Sequence, residues 1–207
     1  MSFELNLRHR IGGTQITFDA QTAVPLMALV GPSGAGKTTV LNMIAGLVRP
    51  DHGRIAVGGR VLFDSATGVN CPPDARRAGY VFQDNRLFPH LRVGANLRYG
   101  EKLAPPDARW ITQREVIAFL GIAHLLDRWP ANLSGGEARR VAIGRALLAG
   151  PRFLLMDEPL TSLDPARAEE ILRVVERIRD ELELPVLYVS HASAEVARLT
   201  ACILSLP

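Results

Sequence analysis

The hydrophobic positions of the chain form two patterns, short apolar runs and runs in which apolar and polar residues alternate. Alternation in residues 3–7 predicts a strand, and the Gly12-Gly13 pair predicts a hairpin turn before a second strand over residues 15–18. Phe3 and Phe18 on these strands are expected in the core. Short and mostly apolar runs, typical of buried parallel strands, occupy residues 26–30, 78–82, 153–156 and 186–190, and the run at 153–156 is wholly apolar.

Apolar residues at helical spacing predict helices between these strands. One face of a helix over residues 39–47 is formed by Val40, Leu41, Ile44 and Leu47. Further helices are predicted over residues 110–126, 134–148, 165–182 and 194–199, with short strands at 54–57, 60–63 and 202–206. Residues 64–77 are expected to form a loop. Because strands alternate with helices, we predict an α/β protein with a mostly parallel central sheet, an N-terminal antiparallel β subdomain and an inserted α-helical subdomain.

Composition and charge are those of a soluble globular protein. The chain has 207 residues, of which 47% are hydrophobic and 22% charged, enough for one large domain or two small ones. We expect a cytoplasmic protein, because no apolar run is long enough to cross a bilayer and the N-terminus lacks a signal-peptide pattern. The net charge of +3 is small and scattered, so it gives little support to a nucleic-acid or lipid partner. Cys71 and Cys202 form no metal or redox motif.

A glycine-rich loop after the strand at residues 26–30 has the P-loop pattern G-x-x-x-x-G-K-T. Its members are Gly31, Pro32, Ser33, Gly34, Ala35, Gly36, Lys37 and Thr38. Glycines allow backbone N–H groups to surround phosphate oxygens, and the following helix presents the positive end of its dipole to the anion. The pattern predicts a nucleotide site in which Lys37 reaches the β- and γ-phosphates and the Thr38 hydroxyl binds Mg²⁺.

Polar residues follow three of the predicted strands, at the edge where open α/β sheets bind ligands. Asp157 and Glu158 end a buried strand, where two carboxylates are unfavourable unless they have a chemical role. Asp157 is predicted to hold the Mg²⁺ hydration shell, and Glu158 to polarise the water that attacks the γ-phosphate. Gln83 is a candidate contact to Mg²⁺ or to that water. His191 has the same kind of position, although a lone histidine is more often structural.

Ser134, Gly135 and Gly136 begin a predicted helix and allow two interpretations. Ser134 is a suitable N-cap, with Glu137 three residues later as in a capping box. The same residues at a helix N-terminus could also form a second phosphate site, which would duplicate the P-loop within one chain but not between two chains. Asp164 is predicted to cap the next helix, which begins with proline.

The ordered motifs resemble those of the ATP-binding subunits of ABC transporters over nearly the whole chain. Beyond the P-loop, the matching parts are the Q-loop Gln83, the signature at residues 133–137, the Walker B run ending in Asp157, the catalytic Glu158, the D-loop at residues 162–164 and the switch His191. The resemblance implies ATP and Mg²⁺ as ligands, with further nucleotide contacts from Thr39, Ser134, Gly135, Gly136 and Asp164. It also implies one domain, residues 1–207, divided into a core (1–83 and 149–207) and a helical subdomain (84–148).

The same resemblance implies partners. In a head-to-tail homodimer, Ser134 and Gly136 of one chain would contact the γ-phosphate bound by Lys37 of the other, so that ATP joins the two copies. The implied catalytic residues are Lys37, Gln83, Glu158 and His191. A short helix of integral membrane permease subunits would dock near Gln83 and the apolar stretch around Phe88, and a solute-binding protein would act indirectly. The implied location is the cytoplasmic face of a bacterial membrane, with no nucleic-acid partner.

Several stretches narrow the resemblance to the molybdate-importer ATPases. They cover residues 79–84, 86–90, 96–100 and 140–148, together with Glu137, where most family members carry glutamine. The implied cargo is molybdate or a related oxyanion, although these stretches do not bind cargo. The alternatives are an importer ATPase for sulfate, iron or a polyamine, a soluble ABC protein that acts on nucleic acid or ribosomes, and a P-loop kinase.

Two features depart from the family pattern. No clear aromatic residue occupies the usual base-stacking position, and His9 and Arg10 lie near the expected base without being assigned to it. The sequence ends at Pro207, where molybdate-type ATPases usually continue into a small β-rich oxyanion-sensing domain. Regulation by cargo binding to such a domain is therefore not inferred.

Overall fold

The computed structural model of the protein describes residues 2–206, so Met1 and Pro207, the ends of the predicted domain, lie outside the description. Strands and helices alternate through most of the described chain. In order, the elements are β1 (Phe3–Ile11), β2 (Thr14–Thr22), β3 (Leu26–Val30), α1 (Lys37–Ala45), β4 (His52–Val57), β5 (Arg60–Asp64), β6 (Val69–Asn70), α2 (Pro73–Arg76), β7 (Ala78–Val81), α3 (Val93–Leu103), α4 (Gln113–Leu120), α5 (Gly135–Leu148), β8 (Phe153–Asp157), α6 (Pro165–Glu181), β9 (Val186–Val189), α7 (Ser193–Leu199) and β10 (Ile203–Ser205).

The N-terminal strands form an antiparallel sheet in the order β2-β1-β4-β5-β6. The β1–β2 hairpin turns at Gly12, whose backbone is left-handed, with φ of 56°. Phe3 and Phe18 on its two strands are buried, as predicted. β4 approaches β1 so closely at Gly53 that a Cβ there would overlap the Asn6 carbonyl oxygen. The predicted antiparallel β subdomain is confirmed.

The second sheet is wholly parallel, in the order β10-β3-β9-β8-β7. The carboxyl ends of parallel strands lie at one edge, so the residues that follow β3, β7, β8 and β9 share that edge. Those residues are the P-loop, Gln83, Glu158 and His191. The strand order therefore places the predicted phosphate loop and the predicted strand-end polar residues on the same side of the sheet.

Apolar side chains on the two faces of the parallel sheet enter two separate cores. On one face, Phe153 and Leu155 of β8 pack with α1 and the antiparallel sheet. On the other face, Leu154 and Met156 pack with helices α3 to α7. The predicted α/β class, with a mostly parallel central sheet and helices inserted between β7 and β8, is confirmed. Within the described residues, no helix combines the length and apolar character needed to span a membrane.

The inserted helices differ from the prediction in number and length. No helix is predicted between residues 84 and 109, yet α3 forms there with Val93 and Leu97 fully buried. The predicted helix over residues 110–126 is confined to α4, because a capping box at Thr112 starts it and Gly121, with φ of 64°, ends it. The subdomain boundaries at residues 84 and 148 stay a prediction.

Two smaller predictions are also corrected. Leu47, predicted on the apolar face of the first helix, lies beyond its end and is 53% exposed, because Gly46 ends α1 with a left-handed backbone, φ 83°. Residues 64–77 are not wholly a loop, since they contain the short strand β6 and the single helical turn α2, which begins at Pro73. Proline suits that first helical position because it needs no N–H partner there.

Candidate functional site

The P-loop surrounds its own lysine. Lys37 is only 6% exposed, and its Nζ donates hydrogen bonds to the carbonyl oxygens of Gly31 and Pro32, both at 2.8 Å. Gly36 has φ of 94°, and a Cβ there would lie 2.5 Å from Cδ1 of Ile16 on β2. The loop therefore requires glycine at this position, for backbone conformation and for space. Because α1 starts without a side-chain cap, its first N–H groups remain for an anion.

The outer side of the P-loop is open to solvent. Pro32, Ser33, Gly34 and Thr38 are exposed, while Gly31, Ala35, Gly36 and Thr39 are half-buried. Phosphate oxygens can therefore approach the loop from solvent, as the predicted nucleotide contacts require.

An oxygen-rich cavity joins the P-loop helix to the end of β8. Thr38 Oγ1 donates a hydrogen bond to Asp157 Oδ2 at 2.9 Å. Asp157 is 4% exposed, and burial raises the pKa of its carboxyl, as does the neighbouring Glu158, while the Thr38 bond lowers it. Thr38, Asp157 and Gln83 line the same cavity of about 400 Å³. A hydroxyl, a buried carboxylate and an amide are hard oxygen ligands, so these residues fit Mg²⁺.

Glu158 lies between the P-loop lysine and the predicted switch histidine. Its Oε1 is 3.8 Å from Lys37 Nζ, and its Oε2 is 3.4 Å from His191 Nδ1. Thr161 Oγ1 donates to the same Oε2 at 3.0 Å. Glu158 has φ of 45°, a region that non-glycine residues adopt rarely and keep only where surrounding contacts fix it. Here the backbone is held by the Glu158 N–H, which donates to the Val189 carbonyl at 3.0 Å, and by the Glu158 carbonyl, which accepts the Thr161 N–H at 3.2 Å.

The segment around His191 contains two polar residues near the site, Ser190 and Glu195, that the sequence analysis did not single out. Ser190 Oγ donates to Glu195 Oε1 and accepts the Ala192 N–H at 3.0 Å, so it ties the start of α7 to the end of β9. Burial raises the pKa of Glu195 to about 7, which the nearby Glu158 also favours and His191 opposes. The sequence feature that could have identified Glu195 is its place in the first turn of the helix that follows the strand-end His191.

The signature turn is a capped helix start, as predicted. Ser134 Oγ accepts the Glu137 N–H at 3.3 Å, and Glu137 Oε2 accepts the Ser134 N–H at 2.7 Å. The latter bond is the main reason why the pKa of Glu137 is lowered. Both interpretations stay compatible with this geometry, because a side-chain cap uses only some of the N–H groups at the start of a helix.

The turn packs against the D-loop and the start of α6. A Cβ on Gly135 would lie 2.9 Å from Leu163 Cδ2, and one on Gly136 would lie 3.3 Å from Arg167 Cβ. Asp164 caps α6 through the Arg167 N–H at 3.1 Å, as predicted. The structure thus arranges several of the predicted site residues, together with Arg167, in two sets. The P-loop group is Lys37, Thr38, Asp157, Glu158 and His191, and the signature group is Ser134, Gly135, Gly136, Leu163 and Arg167.

The predicted base position is at the β1–β2 hairpin, which reaches the P-loop through Ile16. His9 and Arg10 line an open cavity of about 340 Å³ at the end of β1. His9 Nδ1 is 3.4 Å from Asp51 Oδ2, and the Arg10 N–H donates to the same oxygen at 2.8 Å. Both residues are therefore held by Asp51.

Two arginines of α5 also reach the site region, and sequence reasoning missed them. Arg139 donates to the backbone of residues 82 and 83, and Arg145 to that of residue 85. The sequence does contain a sign that Arg139 is buried, because this charged residue falls on the apolar face of the predicted helix. It lies three and four residues before Ala142 and Ile143, which are buried.

Comparison with known proteins gives consistent matches. Residues 15–161 match the family model described as ABC transporter. The molybdenum import ATP-binding protein ModC of Mesorhizobium japonicum is 55% identical over 206 residues, covering 100% of this chain and 56% of that protein. The chain thus spans about half the length of the curated relatives it matches.

Solved structures match over almost the whole chain. The dimeric post-hydrolysis state of the ATP-binding cassette MJ0796, bound to ADP and Pi, superposes with a TM-score of 0.75 at 25% identity, over 99% of this chain and 93% of that one. The structure of cbiO1 from Clostridium perfringens, part of the ABC transporter complex cbiONQ, gives 0.79 at 26% identity, over 99% and 84%.

Proposed function

The chain belongs to the ABC transporter family, and from this premise we propose that it is the ATP-hydrolysing subunit of an importer for molybdate or a related oxyanion. The observation that carries the proposal is the P-loop group, in which Glu158 faces Lys37 on one side and His191 on the other. The cargo rests on the 55% identity to the molybdenum import protein of M. japonicum.

Lys37 and the loop bind the triphosphate. The Lys37 ammonium, now held by two carbonyl oxygens, exchanges them for β- and γ-phosphate oxygens, and the N–H groups at the start of α1 receive the same anion. Mg²⁺, when bound, neutralises charge on these phosphates, and Thr38, Asp157 and Gln83 are the residues that would hold it. The buried Asp157 carboxyl favours a cation at this position, because burial without a counter-charge is unfavourable.

Glu158 and His191 act on the γ-phosphate. The Glu158 carboxylate accepts a hydrogen bond from the attacking water and orients it. The water oxygen then forms a bond to the γ-phosphorus while the bond to the β,γ-bridging oxygen breaks, which gives ADP and inorganic phosphate. Thr161 and His191 hold the Glu158 carboxylate by its other oxygen, and His191 stabilises the γ-phosphate.

The signature group serves the nucleotide of a second copy. Within one chain, Ser134 and Gly135 would duplicate a phosphate site that the P-loop already supplies. In a head-to-tail homodimer, Ser134, Gly135, Gly136 and Asp164 of one copy complete the site around Lys37 of the other. The MJ0796 cassette, which is dimeric with ADP and Pi, supports this arrangement by analogy.

A groove beside the edge strand β7 is the proposed docking surface for permease subunits. Leu103, Pro105, Ala149 and Pro151 contribute to its lining, and its volume is about 610 Å³. Leu103 is 65% exposed. Phe88, near which docking is also predicted, is half-buried and packs on Tyr99 with ring centroids 4.5 Å apart. With a permease docked here, the protein is peripheral at the cytoplasmic face of a bacterial membrane and meets a solute-binding protein only indirectly.

Mixing two inactive variants tests the shared site. A Ser134→Arg chain keeps Lys37, and a Lys37→Ala chain keeps Ser134, so a mixed dimer has one intact composite site. We expect each variant alone to be inactive and an equal mixture to recover about a quarter of wild-type ATP hydrolysis. The matched control mixes Lys37→Ala with the double variant and has no intact site. No recovery in the first mixture would contradict the shared site.

The partner and the cargo need a separate experiment. Purification of the tagged chain from native membranes should retain an integral permease, and the reconstituted complex should take up molybdate with ATP hydrolysis. A Leu103→Arg change should reduce retention of the permease while leaving ATP binding intact. Uptake of sulfate, iron or polyamine instead of molybdate would reject the proposed cargo.

A further inference from the structure

The backbone that precedes and follows Gln83 is held by a buried arginine of the signature helix. Arg139, in the second turn of α5, is 2% exposed. Its Nη1 donates to the Phe82 carbonyl at 2.7 Å, and its Nη2 donates to the Gln83 carbonyl at 2.8 Å. The planar guanidinium thus spans two successive carbonyls, a geometry that a lysine ammonium does not reproduce.

Arg139 is poorly suited to a purely structural role. Burial lowers its pKa, and its Nε has no hydrogen-bond partner in the described part of the chain. When a buried ionic group is replaced by apolar residues of similar volume, the stability of a protein is often unchanged or increased. The position on an apolar helix face would accept such a residue, so the arginine calls for a functional explanation.

A second arginine of α5 holds the same segment further along. We define the Q segment as residues 82–88. Arg145 Nη2 donates to the Asn85 carbonyl at 3.2 Å, and its guanidinium lies 4.9 Å from the Phe88 ring centroid. Asn85 and Arg86 have φ of 60° and 44°, rare for residues other than glycine. The Q segment is therefore a strained stretch whose carbonyls are held by one helix.

That helix connects the two sets of site residues. Gln83 opens into the cavity that contains Thr38 and Asp157. Ser134 caps the start of α5, five residues before Arg139, which is about 7 Å along the helix axis. A displacement of the Gln83 backbone would therefore move the Arg139 guanidinium, which bonds to it like a fork. Arg139 is separated from the signature turn by less than two turns of α5.

We propose that Arg139 is a positioning residue that couples Gln83, at the chain's own nucleotide, to the signature turn, at the nucleotide of the partner copy. The inference rests on the proposed function, because the second nucleotide exists only in the dimer. The fork transmits movement of Gln83, when the γ-phosphate is lost, to α5. Without the fork, each half of the site still binds its ligand but responds less to the other.

The test compares Arg139→Met with Arg140→Met. Methionine at position 139 keeps an unbranched apolar stem and removes the two bonds to the Q segment. Arg140 lies on the same helix, but its Nη2 pairs with Glu170 of α6 at 3.2 Å, so its variant removes a charge of α5 without touching residues 82 and 83. Thermal unfolding and ATP affinity serve as controls for the fold and the P-loop.

We expect Arg139→Met to raise amide hydrogen exchange across residues 82–88 about 10-fold without nucleotide, and Arg140→Met to leave it unchanged. ATP, in a Glu158→Gln background that prevents turnover, should still protect residues 31–38 fully but should protect residues 133–137 less than it does with Arg139 present. In steady-state hydrolysis, kcat should fall about 10-fold at unchanged KM. Arg139→Lys, which keeps the charge without the fork, should lie between wild type and Arg139→Met in each measurement.

Two results would overturn the inference: wild-type exchange and kcat in Arg139→Met, or equal changes in Arg139→Met and Arg140→Met. If Arg139→Met does not fold, Arg139→Lys decides by the same criteria, and wild-type values in that variant overturn the inference. Absence of ATP hydrolysis by the wild-type chain would instead reject the proposed function, while hydrogen exchange without nucleotide would still measure the Arg139 fork.

Discussion

The P-loop group and the signature group, both predicted to bind phosphate, are built in different ways. In the P-loop group, side chains from the start of α1 contact side chains at the end of β8, as Thr38 does with Asp157 and Lys37 with Glu158. In the signature group, the side-chain contacts of Ser134 within the described chain are local and involve only the capping partner Glu137. The first set can therefore move protons and bind a cation, whereas the second offers backbone N–H groups and shape. In the proposed shared site, the chemistry would therefore be concentrated in the half that contains the P-loop group.

The largest expected effect concerns the P-loop group. Glu158→Gln removes the carboxylate that orients water, so turnover should fall about 10³-fold. ATP affinity should change little, because Lys37 and the loop are intact, and dimers should accumulate with ATP. The measurements are steady-state ATP hydrolysis and size-exclusion chromatography. A variant that retains turnover would remove the distinction between the two groups.

A second change tests whether the P-loop needs a glycine because of the close packing of Ile16 against it. Gly36→Ala places a Cβ against Ile16 in a left-handed backbone, so ATP affinity should fall about 10-fold or more. Gly12→Ala is the matched control, because Gly12 has φ of 56° and an added Cβ would have no atom within 4 Å. It should destabilise the fold by about 1 kcal/mol and leave affinity unchanged. Equal losses of affinity would show that strain alone explains the effect.

A third change separates capping from ligand binding in the signature group. Two capping boxes exist in the described chain, Ser134–Glu137 on α5 and Thr112–Glu115 on α4. Ser134→Ala and Thr112→Ala should each lower the free energy of unfolding by about 1 kcal/mol. Only Ser134→Ala should also reduce ATP hydrolysis. If both variants hydrolyse ATP equally well, the Ser134 side chain is only a cap.

The smallest expected effect is a pH dependence next to the P-loop group. Because burial raises the pKa of Glu195 from 4.5 to about 7, the unfolded chain loses this proton first as pH rises. The free energy of unfolding should therefore fall between these two pH values through this residue. In Glu195→Gln the decline should be smaller, as measured by urea unfolding across that interval. The exposed Glu183→Gln is the control, and an unchanged decline in Glu195→Gln would contradict the assignment.

The inserted helices show where prediction from sequence failed. α3 contains Gly94 and Gly100, residues that usually weaken a helix, so its apolar pattern is interrupted. In the folded protein, Gly100 allows α3 to approach α5, since a Cβ there would overlap the Arg145 carbonyl oxygen. The packing that justifies the glycine involves a helix more than forty residues away, which no local pattern contains.

The elements around the site were predicted far better. The strand at residues 26–30 matches β3, and the capped helix after Ser134 matches α5, because their signals are local. The predicted meeting of strand-end residues also follows from a general property of parallel sheets. The roles of the individual site residues remain predictions, although the structure brings Lys37, Glu158 and His191 within ion-pair distance.

By itself, the sequence determined the phosphate loop, the helix caps, the parallel-strand core and the family. Only the tertiary structure decided that Glu158 takes a left-handed backbone between Lys37 and His191, and that Arg139 is buried against the carbonyl of Gln83. The physical reason is the range of the interactions involved. Caps and strand periodicity depend on neighbours a few residues apart, whereas a buried ion or fork is set by partners that only the folded chain brings together.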